Sequence, residues 1–371
     1  MKKKWKFLGI LTFFVPVLIM TYYSVIGGWI LKYITIYLTG SGKAAVENNC
    51  FTNFISSPSS VWFGLIFMMM TALIVYNGVE KGIEKVSSYL MPALIVLAVI
   101  ICIYVITIPG SSAGIKYYLL PDFSKFSFKT VCAAMGQMFY SMSLAMGIMI
   151  TYGSYTKDEV SIVKSVNQIE IFDTGIAILA GMMVVPAVYI FSGEAGTSQS
   201  GAGLMFVTLP KVFTQMTAGR FIGGLFFVLV FFAALTSSVS VMEAIVSMLI
   251  DRFHISRIKA CLGVIIFSVA LGIPCSLGNG VWSHITILGM DFLTFFDFIS
   301  NSLLLPIVAF FTCLMIGWST GADYIIGEAT KNGEAFKREK IYRVMIKYIA
   351  PVLLLIILVF YTLAQFNIIK F

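Results

Sequence analysis

The sequence predicts an all-α protein that crosses the membrane many times, and three observations carry this prediction. Hydrophobic residues make up 59% of the 371 residues and charged residues 11%, whereas a soluble domain carries about 25% charged residues. The mean hydropathy is +0.95. Apolar runs of about 20 residues, the length that spans a bilayer as a helix, recur nine times. The composition excludes a soluble globular protein, and the continuous runs exclude a membrane β-barrel, whose strands alternate in polarity.

The nine runs predict a single transmembrane domain over residues 1–371, without tandem repeats or low-complexity tracts. The first run follows MKKKWKF directly and continues through Trp29 and Tyr37. It lacks the small-residue site that ends a signal peptide, so it is a retained span. We expect spans over residues 8–39, 60–77, 88–108, 131–152, 170–192, 220–250, 257–277, 292–316 and 342–364.

Basic residues at the span ends predict the orientation of the chain. With a cytoplasmic N-terminus, the inside segments hold 17 lysine and arginine residues and the outside segments hold seven, as the positive-inside rule requires. Nine spans then leave the C-terminus outside. The net charge of +8 therefore reflects topology, and we expect the chain to lie in the lipid of the cytoplasmic (inner) membrane, with no nucleic-acid partner.

The titratable residues argue against an enzyme. His254 and His284 are the only histidines, and the six cysteines lie mostly inside apolar runs without CxxC spacing. Such cysteines are usually buried free thiols. Because no nucleophile–base pair and no metal triad is evident, we expect no catalytic residues.

Among the long outside segments, 193–219 is rich in glycine and serine and then apolar, which predicts a folded lid rather than a free linker.

The fourth run is the most irregular part of the pattern. Ser141, Ser143, Ala145 and Gly147 cluster in its middle, and small residues let a helix unwind there. Unwound backbone at membrane depth is tolerated only where protein or a cavity covers it. Two interpretations stay open at this point: a broken helix at a binding site, and a small-residue face that packs between helices.

Hydroxyl and carboxyl groups within the apolar runs predict an ion site or a gate. Thr236 and Ser240 lie one helical turn apart with Ser237 beside them. Hydroxyls combined with backbone carbonyls can bind sodium, although serine and threonine often bond back to their own helix instead. A carboxylate at mid-span costs about 3 kcal/mol or more, so it marks a pathway, an ion site or a gate. The acidic residues of this kind are Asp173, Glu243 and Asp297.

Several segments, in order along the chain, resemble the neurotransmitter:sodium symporter family, in particular its bacterial amino-acid transporters. The two most specific are GQMFYSMSLAMGIMITYGSY at 136–155 and AALTSS at 233–238. The supporting segments are MTYYSVIGGW at 20–29, NGVEKGIEKVSSYLMPAL at 77–94, LLPDF at 119–123, DTGIAILAGMMVVPA at 173–187, TLPKVF at 208–213 and IYRVMIKYIAP at 341–351. The resemblance begins at the family's third span. It implies the family's inverted-repeat fold, with nine helices matching the third to eleventh spans and without the first two.

The resemblance also implies a substrate pocket, sodium sites and gates. The substrate-binding positions are Leu18, Tyr23, Phe139, Tyr140, Ser141, Ser143, Met146 and Val241. The sodium-binding positions are Ala233, Thr236 and Ser237 at one site and Ser141 and Asp173 at the other. The Asp173 carboxylate there resembles the fixed charge that replaces chloride in chloride-independent members. The gate positions are Gln137, Tyr155, Asp251 and Asp297. In the family, the arginines that pair with the two acids, Asp251 and Asp297, belong to the first span.

The function that the resemblance implies is sodium-coupled uptake of an amino acid by alternating access, with sodium ions and no organic cofactor. The apolar pocket positions imply a hydrophobic or aromatic amino acid. The alternative is an N-terminally truncated fragment that does not transport, because the family's first span supplies much of each ion site.

Overall fold

The computed structural model describes residues 5–40 and 42–366, which are helical over most of their length. Eight of the described helices are long and apolar enough to cross a membrane. They are α1 (Lys6–Leu38), α3 (Ser59–Tyr76), α4 (Val79–Thr107), α8 (Ile162–Thr197), α10 (Gly219–Phe253), α11 (Arg257–Leu277), α12 (Phe292–Thr320) and α14 (Glu339–Gln365). The shorter helices are α2 (Cys50–Ile55), α5 (Ser111–Leu119), α6 (Phe128–Ser141), α7 (Ile148–Tyr155), α9 (201–215) and α13 (Ala322–Ala329). Short 3₁₀ turns lie at Gly42–Ala45, Glu47–Asn49 and Phe123–Lys125.

The fourth expected span, 131–152, is not one continuous helix. Three residues between α6 and α7 have positive φ angles: Ser143 at 53°, Ala145 at 60° and Gly147 at 78°. Left-handed residues interrupt the helical hydrogen-bond pattern, and they end α6 as they end many helices. The small-residue cluster therefore interrupts the helix rather than forming a packing face on a continuous one, and the predicted span 131–152 consists of two half-helices.

The centre of the bundle is formed by α1 and α10, with α3 and α11 packed against them. Tyr33 and Phe227 are fully buried at this centre. The backbones of α1 and α3 approach closely at Gly28, where an added Cβ would stand 2.4 Å from the backbone nitrogen of Gly64. Small residues at helix crossings allow such approach inside a membrane. The windows of α8 and α14 that suit a membrane span are each only 22% buried, so these helices lie at the periphery.

The two ends of the bundle are named after the ends of α1, the Lys6 face and the Leu38 face. The long helices alternate in direction between these faces when α6 and α7 together are counted as one crossing between α4 and α8. The start of α10 accordingly contacts the end of α1, where Gly223 meets Tyr37. The loop between α10 and α11 therefore lies at the Lys6 face, together with the end of α7. The start of α12 lies at the Leu38 face, where Ser56 Oγ donates a hydrogen bond to the Asn279 carbonyl at 3.1 Å.

The segment 193–219 is folded, as the sequence predicts for a lid. Its helix α9 packs onto the Leu38 end of the core through Phe206, which is 1% exposed. The Tyr33 hydroxyl donates a hydrogen bond to the Phe206 carbonyl at 2.6 Å. The Phe206 ring stacks on Phe51 with the ring centroids 5.0 Å apart. These contacts hold α9 over the aromatic core at this face.

Lys32 lies near the Leu38 end of α1 and is held by aromatic rings. Its ammonium stands 5.6 Å from the centroid of Phe54 and 5.7 Å from that of Phe63, within the range of cation–π attraction. Burial raises the pKa of the neighbouring Cys50 thiol, and the Lys32 charge opposes that shift. The cation therefore joins α2 and α3 to α1.

Candidate functional site

The helix break brings two predicted sodium-site residues into contact. Ser141, the last residue of α6, donates a hydrogen bond from Oγ to Asp173 Oδ2 on α8 at 3.0 Å. The backbone just after α6 turns back on itself, because the N–H of Leu144 bonds the carbonyl of Phe139 at 3.1 Å. A hydroxyl and a carboxylate oxygen at this spacing can bind one cation together. The Ser141 side chain is otherwise exposed.

The other predicted sodium oxygens lie on α10. Thr236 Oγ1 donates to the carbonyl of Phe232 at 2.9 Å and to that of Ala233 at 3.0 Å. This is the back-bonding that polar residues show in apolar helices. It leaves the acceptor lone pairs of the threonine hydroxyl unused. The Ala233 carbonyl and the Thr236 hydroxyl therefore lie side by side, and Ser237, the next residue of α10, is exposed.

Two predicted substrate positions, Tyr23 on α1 and Tyr140 on α6, lie close to each other. The Tyr23 hydroxyl on α1 lies close to the Ser237 side chain. Tyr140 on α6 is close enough to interact electrostatically with Tyr23 and with Asp297. Aromatic and hydroxyl groups from three helices therefore meet beside the break.

The remaining predicted substrate positions form its surroundings. Met146 and Val241 are buried in the apolar core, 3% and 4% exposed. Phe139 is partly buried against that core, and Ser143 lies within the break itself. Leu18 is half-buried on α1, where its carbonyl accepts a hydrogen bond from Thr21 Oγ1 at 2.6 Å.

On the Leu38 side of the break, the predicted gate residue Asp297 lies in a hydrogen-bonded cluster. Asn301 Nδ2 donates to Asp297 Oδ1 at 2.6 Å and to the Tyr22 hydroxyl at 2.9 Å. Asn301 Oδ1 is buried and has no hydrogen-bond partner in the described residues. A cavity of about 390 Å³ is lined by these three residues together with Gln137 and Tyr140, among others. The predicted gate residues Gln137 and Asp297 thus face one cavity.

On the Lys6 side, the predicted gate residue Tyr155 joins an ion pair that crosses between helices. Its hydroxyl donates to Glu243 Oε1 at 2.7 Å. Glu243 is fully buried and is paired with Arg257 at the start of α11. Arg257 Nε also donates to the carbonyl of Val75 in the last turn of α3, at 2.8 Å. The buried carboxylate is therefore neutralised and hydrogen-bonded, as burial of a charge requires.

Asp251, the fourth predicted gate position, does not belong to that cluster. It is exposed near the end of α10. There it lines a separate cavity of about 700 Å³ with Lys6 and Phe13 of α1, among others. The structure thus divides the gate positions among three places: the Asp297 cavity, the Glu243 ion pair and the Lys6 end of α1.

Sequence reasoning missed three residues that the structure places in these clusters. Asn301 had a signal, since it lies one helical turn beyond Asp297. Tyr22 had no signal of its own, and the prediction for the adjacent Tyr23 did not extend to it. Adjacent residues of a helix point about 100° apart, so their side chains reach different partners. Arg257 was counted only as a topological charge, and nothing in its local sequence shows that it returns to Glu243.

Comparisons with known proteins agree on one family. A family described as the sodium:neurotransmitter symporter family matches residues 45–371. An uncharacterized sodium-dependent transporter of Haemophilus influenzae is 32% identical, over 97% of this chain and 79% of its own. Another from Bacillus subtilis is 33% identical, over 92% of this chain and 76% of its own. The crystal structure of MhsT in complex with L-phenylalanine is similar at a TM-score of 0.85 and 34% identity, covering 96% of this chain and 81% of MhsT.

Proposed function

The chain belongs to the sodium:neurotransmitter symporter family, a family of sodium-dependent membrane transporters, and from this premise we propose that it imports a hydrophobic or aromatic amino acid together with sodium. The observation that carries the proposal is the helix break. It directly follows Ser141, which bonds Asp173, and it precedes α7, which bonds α10 one turn from Thr236. Broken helices at membrane depth bind ions and substrates through freed backbone groups and nearby hydroxyls.

Coupling follows from differential binding. An ion or substrate shifts a conformational equilibrium only as far as it binds one state better than the other. The half-helix α6 carries Ser141, which bonds Asp173, and the half-helix α7 bonds α10 at Ser240, one turn from Thr236. Movement of either half-helix would therefore change the geometry of one group of proposed sodium oxygens. We expect sodium to favour the state that binds the amino acid, and the amino acid to raise sodium affinity by the same factor.

The substrate class rests on the side chains around the break. Met146 and Val241 supply the apolar side chains of the proposed pocket, although both are now buried in the core. The hydroxyls of Tyr23 and Ser237 lie close to each other and can bind the charged end of an amino acid. MhsT, the structural relative at 34% identity, was crystallised with L-phenylalanine. L-phenylalanine is therefore the first compound to test.

The orientation remains the one that the basic residues predict. With 17 lysine and arginine residues on one side and seven on the other, the Lys6 face is cytoplasmic and the Leu38 face is outside. The cavity beside Asp297 then receives substrate from outside, and the Glu243–Arg257 pair closes the cytoplasmic end.

We further propose that two additional helices, equivalent to the family's first two spans, complete the site. Ser141 and Ser237 are both exposed, whereas a sodium ion bound at either proposed site would need a closed shell of oxygens around it. Asn301 Oδ1 is a buried acceptor beside a carboxylate, and an arginine from a further helix would satisfy both. The matched relatives are also longer, since the matched region covers 79% and 76% of their chains.

Uptake in proteoliposomes tests this second proposal. The 371-residue chain and a form carrying two additional N-terminal helices are each given a sodium gradient and radiolabelled L-phenylalanine. We expect uptake only by the longer form. Robust sodium-driven uptake by the 371-residue chain would contradict the need for two further helices, whereas failure of both forms would contradict the substrate assignment or the transport function itself.

The sodium assignment is tested with Thr236→Val combined with Ser237→Ala in the form that transports. The pair removes two hydroxyl ligands at nearly unchanged volume, so we expect sodium-dependent uptake to be abolished. Tyr117→Phe, which removes a hydroxyl bonded to Thr197 far from the break, is the matched control. Unchanged sodium dependence in the double variant would refute the assignment.

Asp173 gives an independent test. If its carboxylate replaces chloride, wild-type uptake needs no external chloride. Asp173→Ser removes the compensating negative charge, so it should either abolish uptake or make it chloride-dependent. The measurement is uptake in chloride against gluconate buffer, and chloride-dependent uptake by the wild type would show that the proposed role of Asp173 is wrong.

A further inference from the structure

Two tyrosines of the half-helix α7 bond two residues of α10 in the same register. Tyr152 and Ser240 are joined through their hydroxyls at 2.8 Å, and one turn further along, Tyr155 bonds Glu243. Residues three apart on a helix share a face, so one face of α7 packs against one face of α10. The Tyr155–Glu243 contact belongs to the Lys6-side ion pair, whereas the Tyr152–Ser240 contact does not.

The Tyr152 contact leads to the sodium oxygens. Ser240 Oγ donates a hydrogen bond to the carbonyl of Thr236 at 3.1 Å. A serine hydroxyl has only one hydrogen to donate, so in this arrangement Tyr152 is the donor and Ser240 the acceptor between them. The chain of bonds therefore runs from the Tyr152 hydroxyl through Ser240 to Thr236, and bonds in such a chain polarise one another.

Thr236 is the residue whose hydroxyl lies beside the Ala233 carbonyl at 3.0 Å. The backbone of Thr236 is thus held from one side by Ser240, while its side chain presents an oxygen on the other. Any shift of Ser240 is transmitted to the Thr236 peptide within one helical turn. Tyr152 itself is partly buried against the apolar core, and its hydroxyl bonds Ser240.

The half-helix that carries Tyr152 is short and is not continuous with α6. It spans only Ile148–Tyr155 and is separated from α6 by three residues with positive φ angles, Ser143, Ala145 and Gly147. This interruption removes the continuous helical hydrogen bonds that would make α6 and α7 one rod. Side-chain bonds to α10 consequently carry more of the docking of α7.

We propose that Tyr152 is a positioning residue for the sodium site, which couples the docking of α7 to the geometry of the Thr236 oxygens through Ser240. The inference rests on the proposed function, since it concerns the same sodium oxygens. It assigns to Tyr152 an effect on sodium affinity without direct contact between Tyr152 and the ion.

The test is a sodium titration of L-phenylalanine binding, run on the 371-residue chain and on the form with two additional helices. Tyr152→Phe and Ser240→Ala should each raise the half-saturating sodium concentration about fivefold, the effect of one lost hydrogen bond. The double variant should show no larger shift than either single variant, because both remove the same chain of bonds. L-phenylalanine affinity at saturating sodium should change less than twofold, which a general loss of structure would not allow.

Tyr117→Phe serves again as the control for removal of a tyrosine hydroxyl, and its sodium titration should match the wild type. Unchanged half-saturating sodium in both single variants, or additive shifts in the double variant, would overturn the inference while leaving the proposed function intact. Absence of sodium-dependent binding in both wild-type forms would overturn the proposed function and the inference together.

Discussion

The two sides of the helix break are closed by different chemistry. On the Lys6 side, the fully buried Glu243 is paired with Arg257 and bonded by Tyr155. On the Leu38 side, Asp297 has an amide partner in Asn301, which also bonds Tyr22, and a cavity of about 390 Å³ adjoins them. One end is therefore held by paired charges, and the other by uncharged donors around a carboxylate.

This asymmetry matters for how each end can open. Separating a buried ion pair leaves an uncompensated charge in a low-dielectric environment, and its free-energy cost is several kcal/mol. Separating an amide from a hydroxyl has a net cost of about 1 kcal/mol. The Lys6 side is therefore the more firmly closed of the two, and the cavity lies at the side with the weaker contacts.

The largest expected effect breaks the stronger side. Arg257→Gln leaves Glu243 buried without its cation, so we expect the free energy of unfolding to fall by about 3 to 5 kcal/mol. Thermal unfolding in detergent measures the change. The double variant Glu243→Gln with Arg257→Gln removes both charges and should recover most of the loss. Equal destabilisation by the single and double variants would show that charge pairing does not hold this side.

An accessibility experiment sharpens the comparison at intermediate size. Ser302 lines the cavity beside Asp297, whereas Ser247 lies close to Tyr155, next to the ion pair. A membrane-impermeant thiol reagent should therefore modify Ser302→Cys at least about tenfold faster than Ser247→Cys, because only the first faces the cavity. The wild type, whose described cysteines other than Cys50 are buried, gives the background rate. Equal rates for the two variants would contradict the asymmetry.

The smallest effect compares one hydroxyl at each side. Tyr155→Phe removes a hydrogen bond to a carboxylate, while Tyr22→Phe removes an acceptor for an uncharged amide. Bonds to charged groups contribute about 1.5 to 3 kcal/mol and uncharged ones about 1 kcal/mol. We therefore expect Tyr155→Phe to lower the unfolding midpoint more than Tyr22→Phe. The reverse order would mean that Glu243 does not depend on Tyr155.

Much of the architecture was predictable because the bilayer imposes it locally. Each long helix needs an apolar run, and the helices α1 (Lys6–Leu38) and α11 (Arg257–Leu277) begin and end close to the expected 8–39 and 257–277. The irregularity of the fourth run was predictable as well, because Ser143, Ala145 and Gly147 cluster in it. The sequence could not choose between a helix break and a packing face there, and the positive φ angles decide for the break.

The acidic residues illustrate the boundary between the two kinds of knowledge. The sequence by itself determined that Asp173, Glu243 and Asp297 are exceptional, because a carboxylate in an apolar run costs free energy wherever its neighbours lie. Only the tertiary structure decided that they bond Ser141, Arg257 and Asn301, respectively. A helical pattern specifies which face a side chain occupies, whereas the partner depends on how separate helices cross and rotate against each other. That choice is made by the packing of the whole bundle, which no local segment encodes.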